Sequence, residues 1–177
     1  ERMLSALSAA ARQCDLIVTA GGVSMGEADF LPSLLHQHGR IHFWRVRMKP
    51  GLPVLFGEID GTPLLGLPGN PVSAAVGFML FARAGMAAMQ GRAVPTPWRG
   101  RLAQAIQKRH QRCEFVRCHA STDADGTLLL RPLTRQGSGQ LTSLSGANAL
   151  ARIPEAMLDP PAGSVLDTWL LDGGDSV

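Results

Sequence analysis

Residues 14–26, CDLIVTAGGVSMG, and residues 64–77, LLGLPGNPVSAAVG, decide how this chain is read. In each, a short continuous apolar run ends abruptly in glycines and polar residues. Leu16-Ile17-Val18-Thr19 shows no polar alternation, carries β-branched residues and is closed by Gly21-Gly22, the pattern of a strand buried on both faces. Leu64 to Leu67 reads as a second such strand. Asn70-Pro71 then opens a long helix: Asn suits the N-cap, Pro suits the first helical position, and Gly91 suits the site just past an end near Gln90. Working outward, Met3, Leu4, Leu7 and Ala11 mark a helix over 1–13, and a second helix spans 29–38. Ile41 to Met48 and Val54 to Gly57 read as strands, the latter joined to Leu64–Leu67 by an Asp60-Gly61 turn. Strands alternating with helices predict an α/β domain with a mainly parallel sheet over residues 1–92.

The pattern then changes. Ala93-Val94-Pro95-Thr96-Pro97 reads as a linker, residues 93–97. Residues 98–177 show only short strand-like runs, at Leu102 to Gln107, Glu114 to Ser121, Thr127 to Arg131, Leu150 to Ile153 and Val165 to Leu171. Asp125-Gly126 is a hairpin signal between two of them. A small all-β barrel or sandwich is expected there.

Composition bounds the function. In 177 residues, 45% are hydrophobic and 18% charged, a globular balance. A net charge of +3, only 5% aromatics and no Tyr leave no stacking platform for single-stranded nucleic acid, so no nucleic-acid partner is expected. Cys14, Cys113 and Cys118 match no zinc spacing and suggest a reducing compartment. There is no signal or transit pattern. The longest apolar stretch, Val72 to Ala82, is too short for a bilayer, so no membrane association is expected. The chain starts at Glu1 inside an apparent helix, and it is expected to be part of a longer protein.

Three loops carry the chemistry. In Gly21-Gly22-Val23-Ser24-Met25-Gly26-Glu27-Ala28-Asp29, glycines after a buried strand let backbone N–H groups approach an anion, and Glu27 and Asp29 offer oxygen ligands for Mg²⁺. The same residues also fit a tight turn with acids at a helix start. In Phe43-Trp44-Arg45-Val46-Arg47-Met48-Lys49, period two places Arg45, Arg47 and Lys49 on one strand face. That face fits either an anion site or a solvated edge strand. In Leu67-Pro68-Gly69-Asn70-Pro71-Val72-Ser73, a strand end runs straight into a helix N-terminus, either an anion site or an ordinary connection. His36 and His38 do not face together and form no ligand set.

Taken in order, AGGVSMGEADF (20–30), FWRVRMKPG (43–51) and GLPGNPVSA (66–74) closely resemble the molybdopterin molybdenumtransferases (molybdenum insertases) of the MoeA and gephyrin E-domain family. CEFVRC (113–118) and RQGSGQLTSLSGANAL (135–150) are similar to that family's C-terminal domain. The resemblance implies the second half of a molybdopterin-binding three-layer α/β domain followed by a complete β-barrel domain. It implies a transferase that inserts molybdate into adenylylated molybdopterin and releases AMP, with Mg²⁺ present, as a cytoplasmic homodimer. By motif, Gly21, Gly22 and Ser24 would contact the pterin or nucleotide phosphates, and Pro68, Asn70, Pro71 and Ser73 would form the pocket wall. Asp29 would act in the reaction through the metal, with Glu27 beside it. Lys49, Arg117 and Ser138 would hold the oxyanion. Family members often carry a second lysine, KPGKP, where this chain has Leu52, and Arg45 or Arg47 is the candidate to make up that charge. A molybdopterin adenylyltransferase-like enzyme and a non-catalytic gephyrin-like scaffold are the alternatives.

Overall fold

The computed structural model describes residues 1–24, 30–134, 136–137 and 144–171. The apolar run after Cys14 forms strand β1 (Ile17–Ala20), preceded by helix α1 (Arg2–Ala11). Helix α2 (Leu31–His38) leads into β2 (Gly39–Trp44), and the two-residue strand β3 (Met48–Lys49) follows. Strands β4 (Leu55–Ile59) and β5 (Thr62–Leu67) come next. By contact the chain divides into two units. Unit 1 is Glu1–Val46 with Gly51–Arg92, and unit 2 is Arg47–Pro50 with Ala93–Val177.

Unit 1 holds a four-stranded sheet in the order β1-β5-β4-β2. The expected mainly parallel sheet is not what these strands form. Only β1 and β5 are parallel, with Ile17 opposite Leu64 and Ala20 opposite Leu67, while β4 is antiparallel to both β5 and β2. The reason lies in the Asp60-Gly61 turn. Both residues have positive φ (+49° and +79°), the geometry of a two-residue hairpin, and a connection that short allows only antiparallel neighbours.

Alternation along β5 splits the core between two faces. Leu64 joins Leu7, Ile17, Leu31, Leu35, Leu55 and Ile59 beneath α1 and α2. Leu65 and Leu67 join Val54 and Ala82. This second face is covered by α3 (Pro71–Gly77), a π-helical turn (Phe78–Ala82) and α4 (Arg83–Met89). The single long helix expected here therefore contains a π turn. It spans 19 residues and an 18-residue window of it has a mean hydropathy of 1.6, so the run is long and apolar enough by length and composition to cross a membrane, contrary to the shorter stretch considered from sequence. Packing of Val54, Leu65 and Leu67 against Ala82 and the partly buried Ala74, Phe81 and Met86 gives it the role of a core helix on the sheet.

The strand expected over 41–48 ends at Trp44. Arg45 adopts φ +68° and its N–H donates to the Val54 carbonyl at 3.0 Å, which breaks the extended geometry. Arg45, Arg47 and Lys49 consequently do not share a strand face. Arg45 lies in unit 1, whereas Arg47 and Lys49 belong to unit 2.

Unit 2 contains β6 (Trp98–Leu102), β7 (Cys113–Thr122), β8 (Leu128–Pro132), β9 (Ala149–Ile153) and β10 (Val165–Leu170). The order β7-β8-β6-β10-β9 closes on itself through a β7–β9 pairing, which makes a small barrel. Its interior is Leu102, Val116, Cys118, Ala120, Leu130, Ala149, Ala151, Ile153 and Leu166. The first strand lies at 98–102 rather than at the expected 102–107. Its inward positions are Gly100 and Leu102, and a Cβ on Gly100 would stand 2.7 Å from Leu130, so the strand carries only one apolar side chain inward. The ten-residue β7 is shared: Glu114 to Cys118 pair with β9, Cys118 to Thr122 pair with β8, and Cys113 and Glu114 also pair with β3 in parallel.

Candidate functional site

Because β1 and β5 are parallel neighbours, the loops that follow Ala20 and Leu67 leave the sheet at the same end, the end where open α/β sheets place ligands. Strand β2 lies two antiparallel steps from β5 and so runs in the same direction, which brings Trp44 to that end as well. Hydrogen bonds tie the three sequence motifs together. The Gly21 N–H donates to the Leu67 carbonyl at 2.8 Å, and the Trp44 indole N–H donates to the Val23 carbonyl at 2.9 Å. Gly21 and Gly22 take φ +94° and +74°, conformations that suit glycine. Val23 is buried against Gly66, where a Cβ would come within 2.6 Å of Val23 Cγ1.

Around this loop pair Ser24 is exposed, Pro68 is buried and Pro71 is exposed. Asn70 is the N-cap of α3, its side chain accepting from the Ser73 N–H at 3.4 Å, and Ser73 is buried. The structure thus brings Gly21, Gly22, Ser24, Pro68, Asn70, Pro71 and Ser73 to one end of one sheet. Glu27, Asp29 and Ser138 lie outside the described residues. Chemically, the loops offer backbone donors and small hydroxyl groups, a neutral surface suited to close approach by a phosphate or a flat polar ring.

Lys49 and Arg117 both lie in unit 2. Lys49 stands opposite Glu114 in the β3–β7 register, and its Nζ lies 3.0 Å from Glu114 Oε1. Glu114 is 8% exposed, and its other oxygen lies 3.2 Å from His110 Nε2. Arg117, three residues on, is 1% exposed. Burial pushes its guanidinium below its ordinary pKa, opposed first by Glu114 and then by Cys118. Gln136 grips the Arg117 backbone from both sides: its Oε1 accepts the Arg117 N–H at 3.1 Å, and its Nε2 donates to the Arg117 carbonyl at 2.9 Å and the Leu133 carbonyl at 2.8 Å. An Arg117 guanidinium N–H also reaches the Gly137 carbonyl at 3.5 Å.

Glu114, His110, Gln136 and Lys108 were not singled out from sequence. Two of them sit within stretches already noted, Glu114 in CEFVRC and Gln136 in RQGSGQ, and that adjacency was the available signal. Lys108 is 2% exposed with Nζ donating to three backbone carbonyls, a role that no local pattern announces. Among the described residues no group of three His, Cys, Asp or Glu side chains is placed to hold a metal ion.

The chain thus combines an α/β unit with glycine loops at one sheet end and a small barrel that buries an arginine. Comparison with known proteins places this combination in a family. A family model described as a probable molybdopterin-binding domain matches residues 1–88, and one for the MoeA C-terminal region (domain IV) matches residues 99–171. The chain belongs to the MoeA family. The molybdopterin molybdenumtransferase of Haemophilus influenzae is 32% identical over 164 residues, which cover 91% of this chain and 41% of that protein. Gephyrin of Dictyostelium discoideum is 32% identical over 196 residues, covering 97% of this chain and 27% of that protein. A crystal structure of the molybdopterin biosynthesis MoeA protein from Pyrococcus horikoshii superposes with a TM-score of 0.78 at 26% identity, covering 98% of this chain and 41% of that one. The chain therefore spans about two fifths or less of the length of these relatives.

Proposed function

We propose that this chain serves molybdenum cofactor biosynthesis as part of a molybdopterin molybdenumtransferase, which inserts molybdate into adenylylated molybdopterin and releases AMP. The observation that carries the reading is the convergence of the glycine loop at 21–24 and the Pro68–Ser73 connection at one sheet end, bound together by the Gly21–Leu67 hydrogen bond. Gly21, Gly22 and Ser24 would receive the pterin or nucleotide phosphates through N–H and hydroxyl donors, with Pro68, Asn70, Pro71 and Ser73 as the wall. Molybdate is a tetrahedral dianion, and Lys49 and Arg117, with Ser138, would supply the charge and donors that hold one. Placement of charge is the catalytic device, and no covalent enzyme intermediate is required. A magnesium ion would rest on Asp29 and Glu27 and neutralise phosphate oxygens. In domain terms, residues 1–92 form the molybdopterin-binding half, 93–97 the linker and 98–177 the barrel, with residues 47–50 lent to the barrel's sheet. The protein would act in the cytoplasm as a homodimer, without nucleic acid or membrane.

Leu52, half-buried at the position where the family resemblance implies a second lysine, favours one second reading: a gephyrin-like scaffold that has lost oxyanion binding. Calorimetric titration with molybdate separates the two. The insertase reading expects binding that Lys49→Ala and Arg117→Ala each weaken. Binding untouched by either change puts the anion elsewhere. Absence of molybdate binding favours the scaffold, and affinity for AMP or pterin alone favours an adenylyltransferase-like enzyme.

A further inference from the structure

We propose that Glu114 is a built-in competitor for the oxyanion at Lys49, an ion-pair partner that the anion must displace, so that Glu114 sets how tightly the anion is held and how readily it leaves. The inference rests on the reading of Lys49 as an oxyanion ligand. The geometry makes the two partners unequal. The Lys49 side chain is 41% exposed and hangs on a flexible four-carbon stem, whereas that of Glu114 is 10% exposed and fixed within β7. The cation can swing and the carboxylate cannot. The other oxygen of Glu114 lies 3.2 Å from His110 Nε2, which forms an ion pair with it when the imidazole is protonated. A dianion at Lys49 would stand beside a fixed negative charge, which weakens its hold.

This differs from a packing role. If Glu114 merely supported the barrel, removing its charge would weaken anion binding or leave it alone. A competitor gives the opposite sign. The test is titration of the protein with sodium molybdate, wild type beside Glu114→Gln, Lys49→Gln and the double variant, with circular dichroism confirming the fold. Glu114→Gln is expected to bind molybdate about fivefold more tightly, the upper range for a part-exposed ion pair. In the Lys49→Gln background the same change is expected to matter less than about twofold. If Glu114→Gln fails to fold, Glu114→Asp, which withdraws the carboxylate by one methylene, is expected to tighten binding in the same direction. Unchanged or weaker binding in a folded Glu114 variant, beside a wild type that binds, overturns the inference and leaves Lys49 as an oxyanion ligand. No molybdate binding in either wild type or the Glu114 variants overturns the oxyanion reading of Lys49, and the inference with it.

Discussion

Replacing Lys108 with Met keeps most of the side-chain volume and removes a buried amino group. Lys108 is 2% exposed, and its Nζ donates to the carbonyls of Arg112 at 3.0 Å, Pro154 at 2.6 Å and Glu155 at 3.2 Å. The side chain thereby ties the segment before β7 to the chain that leaves β9. Hydrogen bonds from a charged donor contribute about 1.5–3 kcal/mol each, so three supply roughly 4–9 kcal/mol. Against this stands the cost of burying a charge, several kcal/mol, which Met does not incur. The carbonyls left behind are re-solvated only in part, and the balance is a loss of about 3 kcal/mol. Urea unfolding followed by tryptophan fluorescence reads this directly, since Trp98 and Trp169 both lie in the barrel strands. For a unit of this size each kcal/mol moves the thermal midpoint by about 4–8 °C, so a fall of more than 10 °C is expected. A loss below about 1 kcal/mol would refute the reasoning, because it would mean that the three bonds give no more than their own desolvation cost.

Gly66→Ala should destabilise by about 1–3 kcal/mol, since its Cβ would lie 2.6 Å from Val23 Cγ1 and 2.9 Å from Leu31 Cδ2; thermal melting gives the size, and hydrogen exchange at residues 21–24 shows whether the loop loosens. Gln136→Ala removes three hydrogen bonds to the Arg117 and Leu133 backbone and should cost about 1–3 kcal/mol, with Gln136→Glu recovering only the bond to the Arg117 N–H; an equal loss in both variants would contradict the assignment. Burial pushes the Cys118 thiol from about 9 up to about 12. A raised folded value means stability intact below pH 9 and lost as pH rises toward 12, so alkaline unfolding should be shallower in Cys118→Ala, and a thiol reagent should reach exposed Cys14 long before Cys118.

Where local chemistry decides structure, the sequence was legible. The β1 run and its glycines, the Asn70-Pro71 helix start and the Asp60-Gly61 hairpin all act over a few residues, and the structure places them as expected, except that β1 is buried at Ile17 but exposed at Val18 and Ala20 rather than buried on both faces. The misses have tertiary causes. A positive φ at Arg45 has no residue signature, since arginine is not a turn former, so the period-two pattern in the sequence continues past the true end of β2 at Trp44. At β6 the inward position is Gly100, whose missing side chain makes room for Leu130 and erases the apolar beat. The direction of β4 depended on taking the hairpin turn at its word over the α/β pattern. For the site, the loop residues were visible because glycine and proline announce themselves. Glu114 and Lys108 were not, because a charged residue reads as surface until its neighbours are known.

Residues 47–50 are a small piece of one unit stitched into the other by sequence. Because β3 occupies the edge of β7 at Cys113 and Glu114, cutting or cloning at residue 93 would not yield a whole barrel. Such a product would present a bare strand edge, open to pairing with another copy of itself. It would also strand a buried carboxylate without its lysine. Gene rearrangements that exchange this barrel for another, with a join at the proline-containing stretch, therefore carry a penalty that inspection of the join would not reveal. The heritable module here is larger than either unit and extends back at least to Arg47.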